Sequence, residues 1–167
     1  MERATSAELA DRPTTLNLDT HIPALLTWVA NKLGRGASAE YRSKFGVGVT
    51  EWRVIALLAI EPEISANRIV EVIGLNKGAT SRSLRMLESR GLVSIRASGN
   101  GRNNINALTE AGRQLHDRIL PVALAREQRL VGCLSQDELN QLIATLHRLH
   151  ASLPKVDGGP ENQDQDG

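Results

Sequence analysis

The residues with the clearest chemistry are arginines and lysines clustered between positions 65 and 105. Only Glu71 and Glu88 oppose them, so this segment has a net charge of +5 in a chain whose net charge is +1. Basic side chains concentrated in one segment are typical of a surface that binds phosphates. The alternative interpretation is an ordinary solvated helix face. The seven basic residues are Arg68, Lys77, Arg82, Arg85, Arg90, Arg96 and Arg102.

The other reactive side chains do not form the pattern of an enzyme or a metal site. The sequence has no phosphate-binding glycine loop, no nucleophile elbow and no paired histidine and carboxylate motif. Cys133 is the single cysteine, and its apolar neighbours predict a buried, inert thiol rather than a redox switch. His147 and His150 lie three residues apart and could share a zinc ion with His116 elsewhere in the chain. No nearby carboxylate or thiolate completes the ligands that such a site needs. We therefore predict no catalytic residue, no metal and no cofactor.

Two short helices are expected to position the basic residues. Residues 65–73 and 77–90 have helical spacing of apolar side chains, and the turn Gly74-Leu75-Asn76 joins them. Gly91 stands where a left-handed helix cap belongs. Two helices with a tight glycine turn predict a helix-turn-helix. The outward face of the second helix should carry Lys77, Gly78, Ser81, Arg82, Arg85 and Ser89.

A β-hairpin is predicted directly after this helix pair. Residues 92–96 and 103–108 have strand character, and they flank a segment rich in glycine, serine and asparagine. A small hairpin after a helix-turn-helix is a wing. Arg102 at its tip could reach a phosphate or a narrow minor groove.

Amphipathic helices flank this unit on both sides. The first should start near Asp19 or Thr20 and be loosened around Gly34 and Gly36. The second has an almost wholly apolar face, so it should be buried, and Thr50 should cap it. Thr109 should cap a long helix that Pro121 kinks, and the capping box Ser135-Gln136-Asp137-Glu138 should open the last helix. So much apolar helix at both ends predicts pairing with a second copy of the chain.

The chain is long enough for one ordinary domain. No apolar run approaches the roughly 20 residues that a bilayer span needs, and the start does not resemble a signal peptide, so we expect a cytoplasmic protein without a membrane partner. Residues 1–18 are predicted to be a flexible tail, 19–153 a single domain and 154–167 a disordered acidic tail. Within the domain, about 50–108 should form the DNA-binding winged helix, and 19–45 and 109–153 the dimerisation helices.

Three segments resemble the MarR family of transcriptional regulators. Residues 75–93 are similar to that family's recognition helix, and residues 50–55 resemble the start of its second helix. Arg96, the turn Asn100-Gly101-Arg102 and residues 108–112 look like its wing and the start of its long dimerisation helix. Asn100 stands where the family usually has an aspartate two residues before the wing arginine.

The resemblance implies a mainly α-helical fold with a small β-hairpin wing, in which N- and C-terminal dimerisation helices flank a winged helix-turn-helix. It also implies a homodimer that binds an inverted-repeat operator in double-stranded DNA, usually as a repressor. Release follows when a small-molecule effector binds. A dimer of this kind places two recognition helices in major grooves about 34–36 Å apart, so a palindromic site is expected.

The recognition helix and the wing supply the candidate DNA contacts. Arg82 and Arg85 are the best candidates to read base edges, with Ser81 assisting, because an arginine fork matches guanine bidentately. Lys77, Arg96 and Arg102 are assigned to phosphates or the minor groove. The predicted DNA-binding set is Lys77, Gly78, Ser81, Arg82, Arg85, Arg96, Asn100 and Arg102.

The four aromatic residues indicate where an effector could bind. They lie between Trp28 and Trp52, and the basic segment contains none of them, which excludes a protein that stacks bases on aromatic platforms. The resemblance places an effector pocket among the first, second and fifth helices. We expect an anionic aromatic effector, a phenolic acid or its coenzyme A thioester. The predicted contacts are His21, Trp28, Asn31, Arg35, Trp52 and Arg53.

Three alternatives stay open at this stage. Trp52 and Phe45 could instead pack a core junction. A regulator of the same fold could respond to a metal or to redox state. A winged helix could also serve only for contacts with other proteins, since a fold does not fix a function.

Overall fold

The computed structural model describes residues 15–98 and 104–156. The chain forms two compact units, one that ends at Ile119 and one that begins at Leu120. No helix within the described residues is long and apolar enough to span a membrane. In chain order the elements are α1 (Ile22–Phe45), α2 (Val49–Ile60), β1 (Ile64–Ser65), α3 (Ala66–Ile73), α4 (Lys77–Ser89), β2 (Val93–Ala97), β3 (Asn104–Leu108), α5 (Glu110–Val131) and α6 (Gln136–Val156).

The core of the first unit is built around α2. Val54, Ile55 and Leu58 are at most 2% exposed, and Ile69 of α3 and Leu87 of α4 are fully buried with them. Both α3 and α4 contact α2. This confirms the prediction that the apolar second helix is buried.

The start of α2 differs from the prediction that Thr50 caps it. The helix begins at Val49, and Gly48 in extended conformation is its N-cap. The carboxylate of Glu51 accepts the backbone N–H of Gly48 at 2.9 Å, which satisfies a donor at the helix start. The predicted cap was wrong because this carboxylate, three residues into the helix, makes an earlier start stable.

The helix-turn-helix is confirmed, and the side chain before each of its helices is an N-cap. The Ser65 hydroxyl accepts the N–H of Arg68 at 3.2 Å, so α3 begins directly after Ser65. Asn76 does the same for α4, accepting the N–H of Ala79 at 2.8 Å. Gly91 has a φ of 68°, the left-handed conformation predicted there.

The wing hairpin is confirmed, and a third strand joins it. β2 pairs with β3 in antiparallel register, and β1 pairs with the other edge of β3, in the order β1-β3-β2. The buried Asn106 of β3 donates its amide N–H to the carbonyl of Ile64 at 2.9 Å, which fixes β1 in place. The turn between β2 and β3, residues 99–103, lies outside the described residues.

α1 is a single unbroken helix. It begins at Ile22, later than the predicted start at 19 or 20, because the ring nitrogen Nδ1 of His21 accepts the N–H of Ala24 at 3.3 Å. The segment 34–36 remains helical, so its glycines do not loosen the helix as expected. A continuous α1 keeps the residues on either side of these glycines on one helical surface.

The caps of the last two helices match the prediction. The Thr109 hydroxyl accepts the N–H of Gly112 at 3.1 Å. The N–H and hydroxyl of Ser135 donate to one carboxylate oxygen of Glu138 at 2.7 and 2.9 Å, and these bonds lower the pKa of Glu138. α5 includes Pro121, and α6 continues to Val156, past the predicted start of the acidic tail at 154.

Candidate DNA-binding surface and anion pocket

α4 has one buried face and one exposed face. Thr80, Ser83, Leu84 and Leu87 are buried and join the helix to the core. The opposite face consists of small, polar and basic side chains, so a groove of DNA could approach the backbone of this helix closely. Its exposed predicted DNA contacts are Lys77, Gly78, Ser81, Arg82 and Arg85.

Two of the seven basic residues have partners within the protein that stabilise the fold. Arg68 donates to both carboxylate oxygens of Glu61 at 2.9 Å, which raises the pKa of Arg68 and lowers that of Glu61. Arg90 donates to the carbonyl of Gly46 at 2.7 Å and so caps the end of α1. Both side chains therefore contribute to the fold as well as to the basic charge of the segment.

A third basic residue, Arg96, also has a partner in the protein. Its guanidinium forms an ion pair with Glu63, which precedes β1 and has a φ of 63°, unusual for a residue other than glycine. Arg96 is a predicted phosphate or minor-groove contact. To reach DNA it would have to share or leave this carboxylate.

The other described basic residues of the segment 65–105 all lie on α4. Lys77, Arg82 and Arg85 are exposed, and none has an ion-pair partner within residues 15–98 and 104–156. A guanidinium nitrogen of Arg82 lies 3.4 Å from the position that a Cβ on Gly78 would occupy, so this glycine leaves room for the arginine. The predicted contacts Asn100 and Arg102 lie outside the described residues.

A pocket of about 500 Å³ lies between α1 and α2 in the first unit, and we call it the anion pocket. Its polar lining residues include three arginines, and no carboxylate lines it in the described part of the chain. Arg35, Arg42 and Arg53 are exposed and have no ion-pair partner among the described residues. Three guanidiniums without an ion-pair partner around one recess favour an anionic ligand. The lining consists of Ala30, Asn31, Gly34, Arg35, Ser38, Ala39, Arg42, Val49 and Arg53.

An adjoining recess of about 360 Å³ brings in an aromatic side chain. Trp28, Asn31, Lys32 and Arg35 line it, so it shares Asn31 and Arg35 with the anion pocket. Trp28 is 43% exposed. The recess therefore offers an indole ring next to two cations, a combination suited to an aromatic acid.

Two of the predicted effector contacts lie elsewhere. His21 is the N-cap of α1 and lines neither recess. Trp52 stacks on the ring of His116 with 5.5 Å between centroids. Its ring is inclined by 66° to that of Tyr41, with 6.1 Å between these centroids. These contacts correspond to the alternative in which Trp52 packs a junction between helices.

Ser38 and Arg42 were missed in the sequence, although a signal for them exists. Asn31, Arg35, Ser38 and Arg42 follow one another at spacings of four, three and four, which places them on one stripe of α1. The stripe is continuous only if the helix passes unbroken through Gly34 and Gly36, as it does in the structure.

The exposure of Cys133 differs from the prediction. Cys133 is exposed, so the prediction of a buried thiol is wrong for this chain, whose second unit leaves the end of α5 open to solvent. His147 and His150 are exposed on α6, while His116 bonds Asp117 at 2.9 Å. No group of three potential metal ligands is found within the described residues.

The chain resembles known proteins in both sequence and structure. A sequence model of the MarR family matches residues 45–102. A MarR/EmrR family transcriptional regulator from Acinetobacter sp. ADP1 is 34% identical, with a TM-score of 0.78 over 85% of this chain and 99% of its own. No curated protein matches the sequence.

Two further solved structures share the fold and carry ligands. A MarR mutant from E. coli complexed with operator DNA is 24% identical, with a TM-score of 0.70 over 81% of this chain and 99% of its own. The PcaV regulator from Streptomyces coelicolor, in complex with its natural ligand, is 20% identical, with a TM-score of 0.69 over 84% and 99%. These likenesses confirm the winged-helix fold predicted from the sequence.

Proposed function

This chain belongs to the MarR family of transcriptional regulators, and we propose that it is a homodimeric repressor released from a palindromic operator by a small anionic aromatic compound. The effector class is a phenolic acid or its coenzyme A thioester. The observation that carries the proposal is the anion pocket, which lies in the same compact unit as the exposed cations of α4.

The exposed face of α4 supports DNA recognition through the major groove. Arg82 and Arg85 present guanidinium forks that match the O6 and N7 acceptors of guanine. Lys77 at the start of the helix would contact a phosphate and set the register. The wing residues Arg96, Asn100 and Arg102 complete the proposed surface.

Exposed apolar side chains on both units support a homodimer. No residue of α6 is buried, and Leu142, Ile143, Leu146, Leu149 and Leu153 are 40 to 51% exposed. On α1, Ile22, Leu26, Val29 and Leu33 are 37 to 53% exposed. Large apolar side chains at helical spacing are normally covered, and a second copy of the chain would cover them.

The two recesses beside α1 support an aromatic acid as the effector. A carboxylate would pair with Arg35 or its neighbours in the anion pocket, and the ring would lie against Trp28 in the adjoining recess. Asn31 lines both and could donate to a phenolic oxygen.

We expect aromatic acids to release the protein from DNA. The experiment uses fluorescence polarisation of a labelled duplex from the protein's own promoter region, titrated with benzoate, 4-hydroxybenzoate, 4-hydroxycinnamate and its coenzyme A thioester. The complex should contain two chains per duplex. If none of these compounds changes either the polarisation or the tryptophan fluorescence, the proposed effector class is wrong.

The variant R35Q should raise the effector concentration needed for half release by about tenfold or more, because hydrogen bonds to charged groups contribute about 1.5–3 kcal/mol. Arg35 is the test residue because it lines both recesses. The matched control is R129Q, since Arg129 lies in the last turn of α5 and lines neither recess. An equal change in both variants would exclude a specific role for Arg35.

The variant K77A should flatten the salt dependence of DNA binding. Losing one phosphate contact reduces the slope of log K against log salt by about one unit, and binding weakens similarly for all sequences. The control is K44A, because Lys44 lies on α1 with its ammonium 2.7 Å from Glu40 and should not contact DNA. A slope that K77A leaves unchanged would remove Lys77 from the interface.

A further inference from the structure

One carboxylate joins the start of α2 to the buried face of α4. An oxygen of Glu51 accepts the N–H of Gly48 at 2.9 Å, and its other oxygen accepts the hydroxyl of Ser83 at 3.0 Å. Ser83 is 4% exposed and lies on the buried face of α4. Its neighbour in sequence, Arg82, lies on the exposed face. The position of this carboxylate is therefore coupled to the position of the helix that carries the proposed base contacts.

The same carboxylate lies beside the anion pocket. A Cβ built on Gly48 would lie 2.7 Å from a carboxylate oxygen of Glu51, 3.1 Å from the hydroxyl of Ser38 and 3.2 Å from a guanidinium nitrogen of Arg42. Ser38 and Arg42 both line the pocket. Two pocket residues and Glu51 thus lie around the same small space beside the backbone of Gly48.

An anion in the pocket would change the electrostatic environment of this carboxylate. In the free protein the guanidinium of Arg42 and the carboxylate of Glu51 both lie beside Gly48, and the carboxylate is held by the N–H of Gly48 and the hydroxyl of Ser83. A bound anion neutralises the charge of Arg42 and adds a negative charge near Glu51, and the two negative charges repel each other. The hydrogen bond to Ser83 is the contact of Glu51 on the α4 side, so it is the contact through which such a change reaches α4.

We propose that Glu51 is a positioning residue that transmits occupancy of the anion pocket to α4 through its hydrogen bond with Ser83, an inference that rests on the proposed function of that pocket. A ligand shifts a conformational equilibrium only through a difference in its interaction with the two states. Here that difference arises between the anion, Arg42 and Glu51. The recognition helix responds because Ser83 is fixed to the same carboxylate.

A double-mutant cycle tests this link without any effector. R42Q removes the positive charge as a bound anion would neutralise it, and S83A removes the hydroxyl on α4. The dissociation constant is measured for a duplex that the wild-type protein enriches from a random pool. R42Q should weaken binding by about fivefold or more with Ser83 present and by less than about twofold in the S83A background. The same factor in both backgrounds, or no effect of R42Q in either, overturns the proposal.

T80V is the matched control for S83A. The Thr80 hydroxyl is also buried on α4, but it donates within its own helix to the carbonyl of Asn76. R42Q should therefore retain its full effect in the T80V background. If it loses the effect there too, general loosening of α4 explains the result and the role of Glu51 is overturned.

A second cycle covers the case in which S83A does not fold. E51Q keeps a polar side chain at the same position but removes the negative charge that faces Arg42, so R42Q should again lose its effect on DNA affinity. Thermal unfolding of each variant checks that the fold is intact. Failure of aromatic acids to release DNA would contradict the proposed function, whereas additive cycles contradict only the link through Glu51.

Discussion

Replacing Arg82 with alanine should lower the affinity for the preferred duplex by about tenfold to a hundredfold, because a bidentate contact between arginine and guanine contributes about 1–3 kcal/mol of discrimination. Arg82 is exposed in the middle of α4, and it has no ion-pair partner within the described residues. Removing it leaves no buried polar group behind. The fold and its thermal stability should therefore stay close to those of the wild-type protein.

The conservative variant R82K separates base reading from charge. Lysine keeps the positive charge but lacks the planar fork of arginine, so R82K should retain binding to a random duplex and still lose most of the preference for the enriched one. R82A should weaken binding to both. Fluorescence polarisation with the enriched and the random duplex at fixed salt gives this ratio. If both variants keep the wild-type ratio, Arg82 does not read a base.

The elements of the fold could be predicted where their signals are local. The apolar spacing, the turn at 74–76 and the cap Gly91 are signals that act within a few positions of themselves, so the bounds of α3 and α4 followed from the sequence to within one residue. The strand β1 did not, because it has only two residues and exists through pairing with β3 about 40 positions later. A strand of that length has no alternation of its own to detect.

The candidate site could be predicted only in part for the same reason. The sequence identified the basic segment, but it could not show which cations have partners, since Arg90 reaches a carbonyl 44 positions earlier in the chain. Asn31, Arg35 and Arg53 were selected for their side-chain types, and the fold brings them to one pocket. The bond between Glu51 and Ser83 spans 32 positions and joins two side chains that are unremarkable in sequence.

The variant G112A should destabilise the protein by about 3 kcal/mol or more, which exceeds most overpacking substitutions. A Cβ at Gly112 would lie 2.0 Å from the carbonyl oxygen of Leu92 and 3.2 Å from a methyl group of Leu108. The backbone cannot move away easily, because the same carbonyl accepts the N–H of Thr109 at 3.1 Å, and the Thr109 hydroxyl donates to Gly91 at 2.6 Å. Relief of the clash would require breaking the junction between β2 and α5.

Thermal unfolding provides the measurement, and G34A provides a control of opposite sign. At roughly 2–4 °C per kcal/mol for a chain of this size, G112A should lower Tm by about 6–12 °C. A Cβ at Gly34 would meet nothing within 4 Å, so alanine there should raise the free energy of unfolding by about 0.5–1 kcal/mol through its better helix propensity. Both glycines are helical, and a generic effect of glycine in helices would shift Tm upward in both variants. Opposite shifts would instead show that the clash at Gly112 is specific to its position. The start of α5 then lies directly against the backbone of Leu92, the residue that leads from α4 into the wing. Through that contact, the start of α5 fixes the position of the DNA-binding elements.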